Sequence, residues 1–166
     1  MDPDNDGWLD IFMVNGHVYP EMGDRYRQKP LIFRNLRNGK FEEWPLLLSP
    51  LPGRGAAIGD FDNDGDLDIL INNIDAPPAL YENKGKPAGN WITVEASTGA
   101  RITVRANGTT QFSEARSSSG YLSSSDRRMH FGLGEAPAAD EIQIAYGGGR
   151  SETLKNVKAN QRLSRR

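Results

Sequence analysis

The sequence predicts an all-β protein in which two repeated β units precede a small β-sandwich or barrel-like domain. An aspartate-rich segment occurs twice, as Asp2–Phe12 and Asp60–Leu70, and the two copies are 58 residues apart. A repeat of this length is typical of propeller blades and other repeated β units. In the second half, apolar residues alternate with polar ones, which is the period of a strand with one buried face. The 18 glycines and 10 prolines favour turns over helices.

The first predicted domain covers residues 1–90 and contains both repeats. A strand begins at Gly39 in the first repeat, and the second repeat has strands at Ala56–Ile58, Ile69–Ile71 and Ala79–Tyr81. The proline-rich segment Pro45–Pro52 is predicted to be a loop. Because the chain starts inside the first aspartate-rich loop, we expect it to be the C-terminal piece of a longer array, with upstream blades as partners.

The second predicted domain covers residues 91–166 and is also all-β. Asn107-Gly108 is a strong hairpin signal that pairs Arg101–Ala106 with Thr109–Ala115. The serine-rich run Ser117–Ser125 is predicted to be a polar loop or an exposed edge strand. The other predicted strands lie at Trp91–Val94, Met129–Leu133, Ile142–Tyr146 and Glu152–Leu154.

Charge supports this division, because residues 1–96 carry a net charge of -7 and residues 97–166 carry +5. The acidic excess is concentrated in the two repeated segments. The basic excess is spread along the second domain without a Lys/Arg block, so we expect no nucleic-acid partner.

Both repeated segments follow the pattern D-x-D-x-D-G-x-x-D, which predicts a calcium loop. Calcium takes six to eight oxygen ligands, and the glycine at position six permits the sharp turn around the ion. Position seven offers its carbonyl, so its side chain is free to vary, and the leucine at position eight (Leu9 or Leu67) should anchor the loop to the core. The predicted ligands are Asp60, Asp62, Asp64, the Asp66 carbonyl and Asp68 in the second loop, and Asp2, Asp4, Asp6, the Trp8 carbonyl and Asp10 in the first.

The loops differ from an EF-hand, which has glutamate at position twelve and flanking helices. Here position twelve is Met13 or Ile71, and the residues that follow read as strand. The alternative is an ion-free aspartate-rich turn, in which crowded carboxylates would repel one another.

Other chemistry finds little support in the sequence. There are no cysteines, and His17 and His130 fall in different domains without a serine or carboxylate partner at a recognisable spacing, so we expect both to be structural or solvated. The acidic residues outside the loops are scattered, and we expect no catalytic residues and no enzyme activity.

Asn107-Gly108-Thr109 fits a glycosylation acceptor, but a hairpin turn is the favoured interpretation. The sequence has no apolar run long enough to span a membrane, and no basic and then apolar stretch follows Met1, so we expect no signal peptide in the chain as given.

Several motifs resemble known families. Residues 54–68, RGAAIGDFDNDGDLD, resemble an FG-GAP or VCBS repeat, the unit of integrin-like β-propeller blades. Four motifs in the second domain resemble the ASPIC/UnbV domain, which follows such repeats in the cartilage acidic protein family. They are GARITV (99–104), GYLS (120–123), HFGLG (130–134) and NVKANQ (156–161). NGHVYP (15–20) is similar to the bacterial branch of that family.

This resemblance implies a secreted or cell-surface setting and implies no catalytic activity. The leading hypothesis is therefore a calcium-binding, calcium-stabilised extracellular interaction or adhesion module. Its ligand would be an unknown protein or glycan at the cell surface or matrix. The alternatives are a carbohydrate-binding accessory or enzyme of polysaccharide processing, and a structural end-cap of a β-propeller.

Overall fold

A computed structural model describes residues 1–45, 48–85, 89–120 and 123–165 of the chain. Parts of two predicted loops therefore lie outside the described residues, namely residues 46–47 and residues 121–122. The second of these gaps also removes the centre of the motif at residues 120–123.

The described chain is almost entirely β, which confirms the predicted fold class. Two short 3₁₀ helices occur at Pro20–Arg25 and Gly147–Gly149. The strands are β1 (Ile11–Met13), β2 (Leu31–Asn35), β3 (Phe41–Glu43), β4 (Gly53–Gly59), β5 (Asp68–Asn73), β6 (Ala79–Tyr81), β7 (Asn90–Glu95), β8 (Arg101–Ala106), β9 (Thr109–Glu114), β10 (Met129–Gly134), β11 (Ala138–Ala145), β12 (Ser151–Lys158) and β13 (Gln161–Ser164).

The two repeats form separate three-stranded antiparallel sheets, ordered β1-β2-β3 and β4-β5-β6. Strands β1 and β5 both leave an aspartate-rich loop, and β2 and β6 both follow as the next strand. The second sheet has the strand that enters its loop, β4, and the first sheet instead has an outer strand, β3. The free edge of β4 meets the second domain, because the Ile58 N–H donates to Ser125 Oγ and the Asp126 N–H donates to the Ile58 carbonyl.

The second domain is a sandwich of two sheets. One sheet has the order β12-β11-β8-β9, and the other has the order β10-β7-β13, in which β13 runs parallel to β7. The main hydrophobic core lies between these sheets, and its fully buried members include Ile92, Val94, Ile102, Ile142 and Ile144. Strand β7 is buried on both faces, because the side of β7 that points away from this core meets the repeats.

The Asn107-Gly108 prediction is confirmed as a hairpin that joins β8 to β9, with Ala106 paired to Thr109. Asn107 and Gly108 have φ angles of 47° and 73°, which a two-residue type I′ turn requires at both positions. The described residues of the serine-rich run lie outside any strand, in agreement with the loop alternative.

The prediction that Leu9 anchors its loop to the core is wrong. Leu67 is buried, and it lines a cavity together with Ile32 and Trp44 of the first repeat. Leu9 holds the same position in the first loop but is 64% exposed. The difference arises because a neighbouring sheet packs beside Leu67, whereas no sheet of the described chain precedes the first repeat.

Neither of the two short helices in the described chain has the length or apolar character needed to cross a membrane.

Replacing Ile142 with alanine tests the sandwich core. Ile142 is fully buried between the sheets, so Ile142→Ala should lower the free energy of unfolding by about 2–5 kcal/mol through lost contacts and a residual cavity. Gln143→Ala is the matched control, because Gln143 is exposed on the opposite face of the same strand. Urea titration of both variants measures the difference, and equal stabilities would contradict this account of the core.

Candidate metal centre

The first loop curls around its own aspartates. Asp2 is buried, and its two carboxylate oxygens accept the backbone N–H groups of Asp6 and Gly7 at 3.1 and 2.9 Å. This curl gathers ligand oxygens of Asp2, Asp4 and Asp6 within 4.8 Å of one another. Three carboxylates at this separation form a candidate cation site.

The second loop gathers a different trio, Asp60, Asp62 and Asp68, also within 4.8 Å. The Asp64 carboxylate instead accepts the Asp66 N–H at 2.9 Å, as the equivalent Asp6 carboxylate accepts the Trp8 N–H at 2.8 Å in the first loop. Asp60 and Asp68 are buried, whereas Asp62 is exposed. The site is therefore built from two fixed carboxylates and one at the surface.

The last aspartate of each loop is held by an asparagine at the end of β2 or just beyond the end of β6. Asp10 Oδ1 accepts the N–H of Asn35 at 2.7 Å, and Asp68 Oδ1 accepts the N–H of Asn83 at 2.8 Å. Both asparagines lie at the end of matching segments, LIFRN and ALYEN. The repeat of these segments is visible in the sequence and is the signal that could have revealed this role.

Three buried carboxylate oxygens in the described chain have no hydrogen-bond partner: Asp4 Oδ1, Asp10 Oδ2 and Asp60 Oδ1. A buried, unpaired carboxylate oxygen is costly, so each one calls for a cation or another donor. Burial, together with the nearby Asp6 and Asp4 carboxylates, raises the pKa of Asp2 to about 7. The all-oxygen donor set and these partnerless oxygens fit a hard cation such as calcium.

Four arginines contact the loops, and the sequence analysis did not identify them. Arg34 contacts Asp4 at 2.5 Å and Arg37 contacts Asp6 at 2.7 Å, both from within the first repeat. The second loop takes its arginines from the sandwich domain instead. Arg162 on β13 contacts Asp60 Oδ2 at 2.9 Å, and Arg128 donates to the Asp60 carbonyl at 2.7 Å.

The expectation that the side chain at position seven is free to vary is wrong for the second loop. Trp8 is partly exposed, but Asp66 is buried and its Oδ1 accepts the side-chain amide of Asn5 at 3.1 Å. Burial and the neighbouring loop carboxylates raise the pKa of Asp66 to about 6. The loops touch each other here, so a residue at their contact has a fixed side chain.

Asn5 connects both loops to the second domain. It is fully buried, and its side-chain amide also donates to the Gly65 carbonyl at 3.1 Å. Its Oδ1 lies 2.5 Å from Nε2 of His130, and its backbone carbonyl accepts the Gly134 N–H at 2.8 Å. The amide and the oxygen of the Asn5 side chain are therefore both hydrogen-bonded, the amide to the second repeat and the oxygen to the sandwich domain.

His130 is a structural residue at this contact, as the sequence analysis expected. Its ring stacks on Trp91 with centroids 6.0 Å apart, and Nδ1 lies 3.3 Å from Thr93 Oγ1. Burial lowers the pKa of His130 to about 4, so the ring is neutral at physiological pH. A neutral ring that donates from Nε2 to Asn5 and accepts from Thr93 at Nδ1 satisfies both contacts. His17, by contrast, lies in the first repeat and accepts the Tyr19 N–H at Nδ1.

Glycines allow the two domains to approach this closely. A Cβ atom on Gly65 would lie 1.9 Å from Nε1 of Trp91, and one on Gly132 would lie 2.1 Å from Oδ2 of Asp2. Real side chains cannot occupy these positions without moving the loops away from the sandwich.

Comparison with known families agrees with this architecture. Residues 2–71 match the profile of the FG-GAP-like repeat, and residues 93–165 match the profile named ASPIC and UnbV. The two matches therefore place a region similar to the FG-GAP-like repeat before a region similar to the ASPIC/UnbV domain, in the predicted order. Proteins with these two domains are typically extracellular and β-propeller-like. A search of curated proteins gave no match.

The role of Asn5 can be tested against Asn63, which has the same position in the second loop. Both have a positive φ angle, 56° and 68°, but Asn5 is fully buried and Asn63 is exposed. Asn5→Ala should lower the free energy of unfolding by about 3 kcal/mol or more, because it leaves several buried groups without partners. Asn63→Ala has the same backbone cost and removes only one exposed hydrogen bond, which Arg128 donates to Asn63 Oδ1 at 2.9 Å. Thermal and urea unfolding of both variants would contradict the proposed contact if their destabilisations were equal.

Proposed function

We propose that this chain is a calcium-binding, calcium-stabilised extracellular interaction or adhesion module without catalytic activity. The observation that carries the proposal is the pair of loops, each with three carboxylates within 4.8 Å. FG-GAP-like repeats generally bind calcium, which supports the same assignment.

In the first loop, Asp2, Asp4 and Asp6 would hold the ion, with Asp10 and the Trp8 carbonyl available nearby in sequence. In the second loop, Asp60, Asp62 and Asp68 would hold it, with Asp64 and the Asp66 carbonyl as further candidates. Calcium would supply positive charge to carboxylates that otherwise repel one another. The role of the residues is to fix both loops, and so to fix the contact between the repeats and the ASPIC/UnbV domain.

An extracellular setting suits such loops. Extracellular calcium modules have dissociation constants of about 10⁻⁴–10⁻³ M. We expect an affinity in this range for the second loop, because Asp60 and Asp68 are buried and fixed whereas Asp62 is exposed. FG-GAP-like repeats are typical of extracellular proteins, and we propose that this chain acts in the secreted or cell-surface compartment.

The surroundings of His130 support a non-catalytic role. Thr93, His130 and Asn5 form a hydroxyl–imidazole–amide series that superficially resembles a nucleophile, a base and an orienting group. Thr93 is buried, however, and the lowered pKa of His130 makes it a weak base. The series therefore orients His130 within the sandwich through Thr93 and joins the sandwich to the first loop through Asn5.

A cleft of about 420 Å³ between the repeats and the sandwich is the surface we propose for a protein or glycan ligand. Leu9 and Phe112 line it and are largely exposed, and Glu114 and Arg127 add charge. An exposed aromatic ring among polar side chains is a common feature of recognition sites. This arrangement also favours the carbohydrate-binding accessory as a second candidate.

Calcium titration tests the proposal. The native chain should release or absorb heat on binding calcium, and at about 100 times the dissociation constant its melting temperature should rise by about 5–10 °C. Asp62→Ala removes an exposed ligand of the second site and should abolish binding there. Asp140→Ala, an exposed carboxylate outside the loops, is the control and should bind as the native chain does. Absence of both heat and a melting shift in the native chain would refute calcium binding.

Acid should weaken calcium binding by the first loop. Because the pKa of Asp2 is raised to about 7, this carboxyl takes up a proton as the pH falls below 7, and calcium must displace that proton. In the Asp62→Ala variant, which isolates the first loop, affinity should be constant above pH 8 and fall about tenfold per pH unit below 7. Isothermal titration in buffers of different ionisation enthalpy should report proton release. A flat affinity from pH 8 to 5.5 would exclude Asp2 as a ligand.

A further inference from the structure

The two loops obtain positive charge from different places, and the sequences of the repeats explain why. In the first repeat, Arg34 in β2 and Arg37 just beyond it contact aspartates of the loop. The equivalent segment of the second repeat has Glu82 and Gly85 at these two positions. Both segments contain an asparagine whose side chain accepts the N–H two residues further on, which supports this alignment. The second repeat therefore has no arginine of its own at either position.

Arg162, on β13 of the sandwich, supplies a positive charge to the second loop instead. Its guanidinium contacts Asp60 Oδ2 at 2.9 Å, where the Asp60 side chain is 4% exposed and the Arg162 side chain is 36% exposed. Asp60 also belongs to the trio of carboxylates with Asp62 and Asp68. One buried carboxylate is therefore part of both an ion pair between domains and a candidate cation site.

The two buried aspartates of this trio differ in what surrounds their oxygens. Asp68 accepts a backbone N–H at each oxygen, from Phe61 at 2.7 Å and from Asn83 at 2.8 Å. Asp60 has Arg162 at Oδ2, and its buried Oδ1 has no hydrogen-bond partner. Asp60 is therefore the buried ligand whose charge balance depends on positively charged partners.

A second arginine, Arg128, also reaches Asp60, but its charge is compensated elsewhere. It donates to the Asp60 backbone carbonyl at 2.7 Å, and its Nε donates to Asp126 Oδ2 at 2.6 Å. Among the ion pairs of the described residues, Arg162 is joined to Asp60 alone. The charge that acts directly on the ligand carboxylate is therefore that of Arg162.

We propose that the sandwich domain sets the calcium affinity of the second loop, because Arg162 and a bound calcium ion share the Asp60 carboxylate and repel each other. The inference rests on the proposed function, since it concerns the same calcium loop. Like charges a few ångströms apart disfavour each other, and a single carboxylate compensates only part of their combined charge. Arg162 is a built-in counter-ion that lowers the affinity of the loop for calcium.

This coupling acts in both directions. Calcium in the second loop weakens the pair of Arg162 and Asp60 by the same factor by which Arg162 lowers calcium affinity. Calcium therefore holds the second loop while it weakens one ion pair between that loop and β13, and the hydrogen bonds of Asn5 are left in place. The first loop has no such coupling through Arg34 and Arg37, since both belong to its own repeat.

Calcium titration of Arg162→Gln tests the proposal. The parent for these measurements is the chain with Asp4→Asn, which removes a ligand charge of the first site so that the second is observed alone. Glutamine keeps a hydrogen-bond donor for Asp60 but has no charge, and Arg162→Gln should bind calcium at least about tenfold more tightly than the parent in isothermal titration. Arg162→Lys keeps the charge and should bind as the parent does. Arg105→Gln is the matched control, because it removes the same charge from the sandwich, where Arg105 pairs with Glu141.

Urea unfolding separates repulsion from a purely structural role. In excess chelator, Arg162→Gln should be less stable than the parent, because the buried Asp60 carboxylate loses its positive partner. In saturating calcium this difference should shrink by the free energy of the tighter binding, which is about 1.4 kcal/mol for a tenfold change. A residue that only supported the fold would cause the same loss of stability in both conditions.

The outcomes distinguish this inference from the proposed function. If the parent binds calcium and Arg162→Gln binds equally or more weakly, the coupling is wrong and calcium binding by the loop stands. Equally tight binding by Arg105→Gln and Arg162→Gln would overturn the coupling too, because it would show an effect of net charge alone. If the native chain binds calcium but the parent does not, the second loop is not a calcium site and the coupling falls. A native chain that binds no calcium would refute the proposed function itself, and the coupling with it.

Discussion

A buried carboxylate needs a positive charge or hydrogen-bond donors beside it. In this chain the sandwich domain supplies part of what the loop carboxylates need, and this holds the repeats against it. Six aspartates of the two loops are buried, namely Asp2, Asp4, Asp10, Asp60, Asp66 and Asp68. Backbone N–H groups satisfy part of this need, and arginines supply positive charge from two different places. The first loop uses Arg34 and Arg37 of its own repeat, whereas the second uses Arg162 from the sandwich. The second loop therefore depends on the other domain for its charge balance.

The contact between the domains is consequently polar and close, unlike the core of the sandwich. Asn5 fills its hydrogen-bonding capacity with groups from three parts of the chain, and the glycines next to it let backbone and side chains meet at short range. Polar contacts of this kind specify geometry, because a small shift leaves several buried groups without partners. The apolar burial that drives folding lies elsewhere, between the two sheets of the sandwich and between the sheets of the two repeats.

Features that depend on local pattern could be predicted from the sequence, and features that depend on distant residues could not. Alternating apolar residues predicted β10 and β11, and Asn107-Gly108 predicted the hairpin, because each rests on a few adjacent residues. The aspartate pattern predicted both loops, including the glycines at their turns. Arg162 was not predictable, since it is 102 residues from Asp60 and no pattern links them. The exposure of Leu9 was missed for the same reason, because burial of this position depends on a neighbouring sheet.

The parallel pairing of β13 with β7 has a consequence for the order in which the molecule forms. These strands are 69 residues apart at the contact of Trp91 with Asn160, so the three-stranded sheet closes only after nearly all of the sandwich has been synthesised. The repeats, whose strand pairs are closer in sequence, can assemble on the ribosome before that time. Until β13 arrives, Asp60 lacks the guanidinium of Arg162. Before Arg162 has been synthesised, the negative charge of the second loop is therefore least compensated. A cation in solution does not yet compete with the Arg162 guanidinium for Asp60 at that stage.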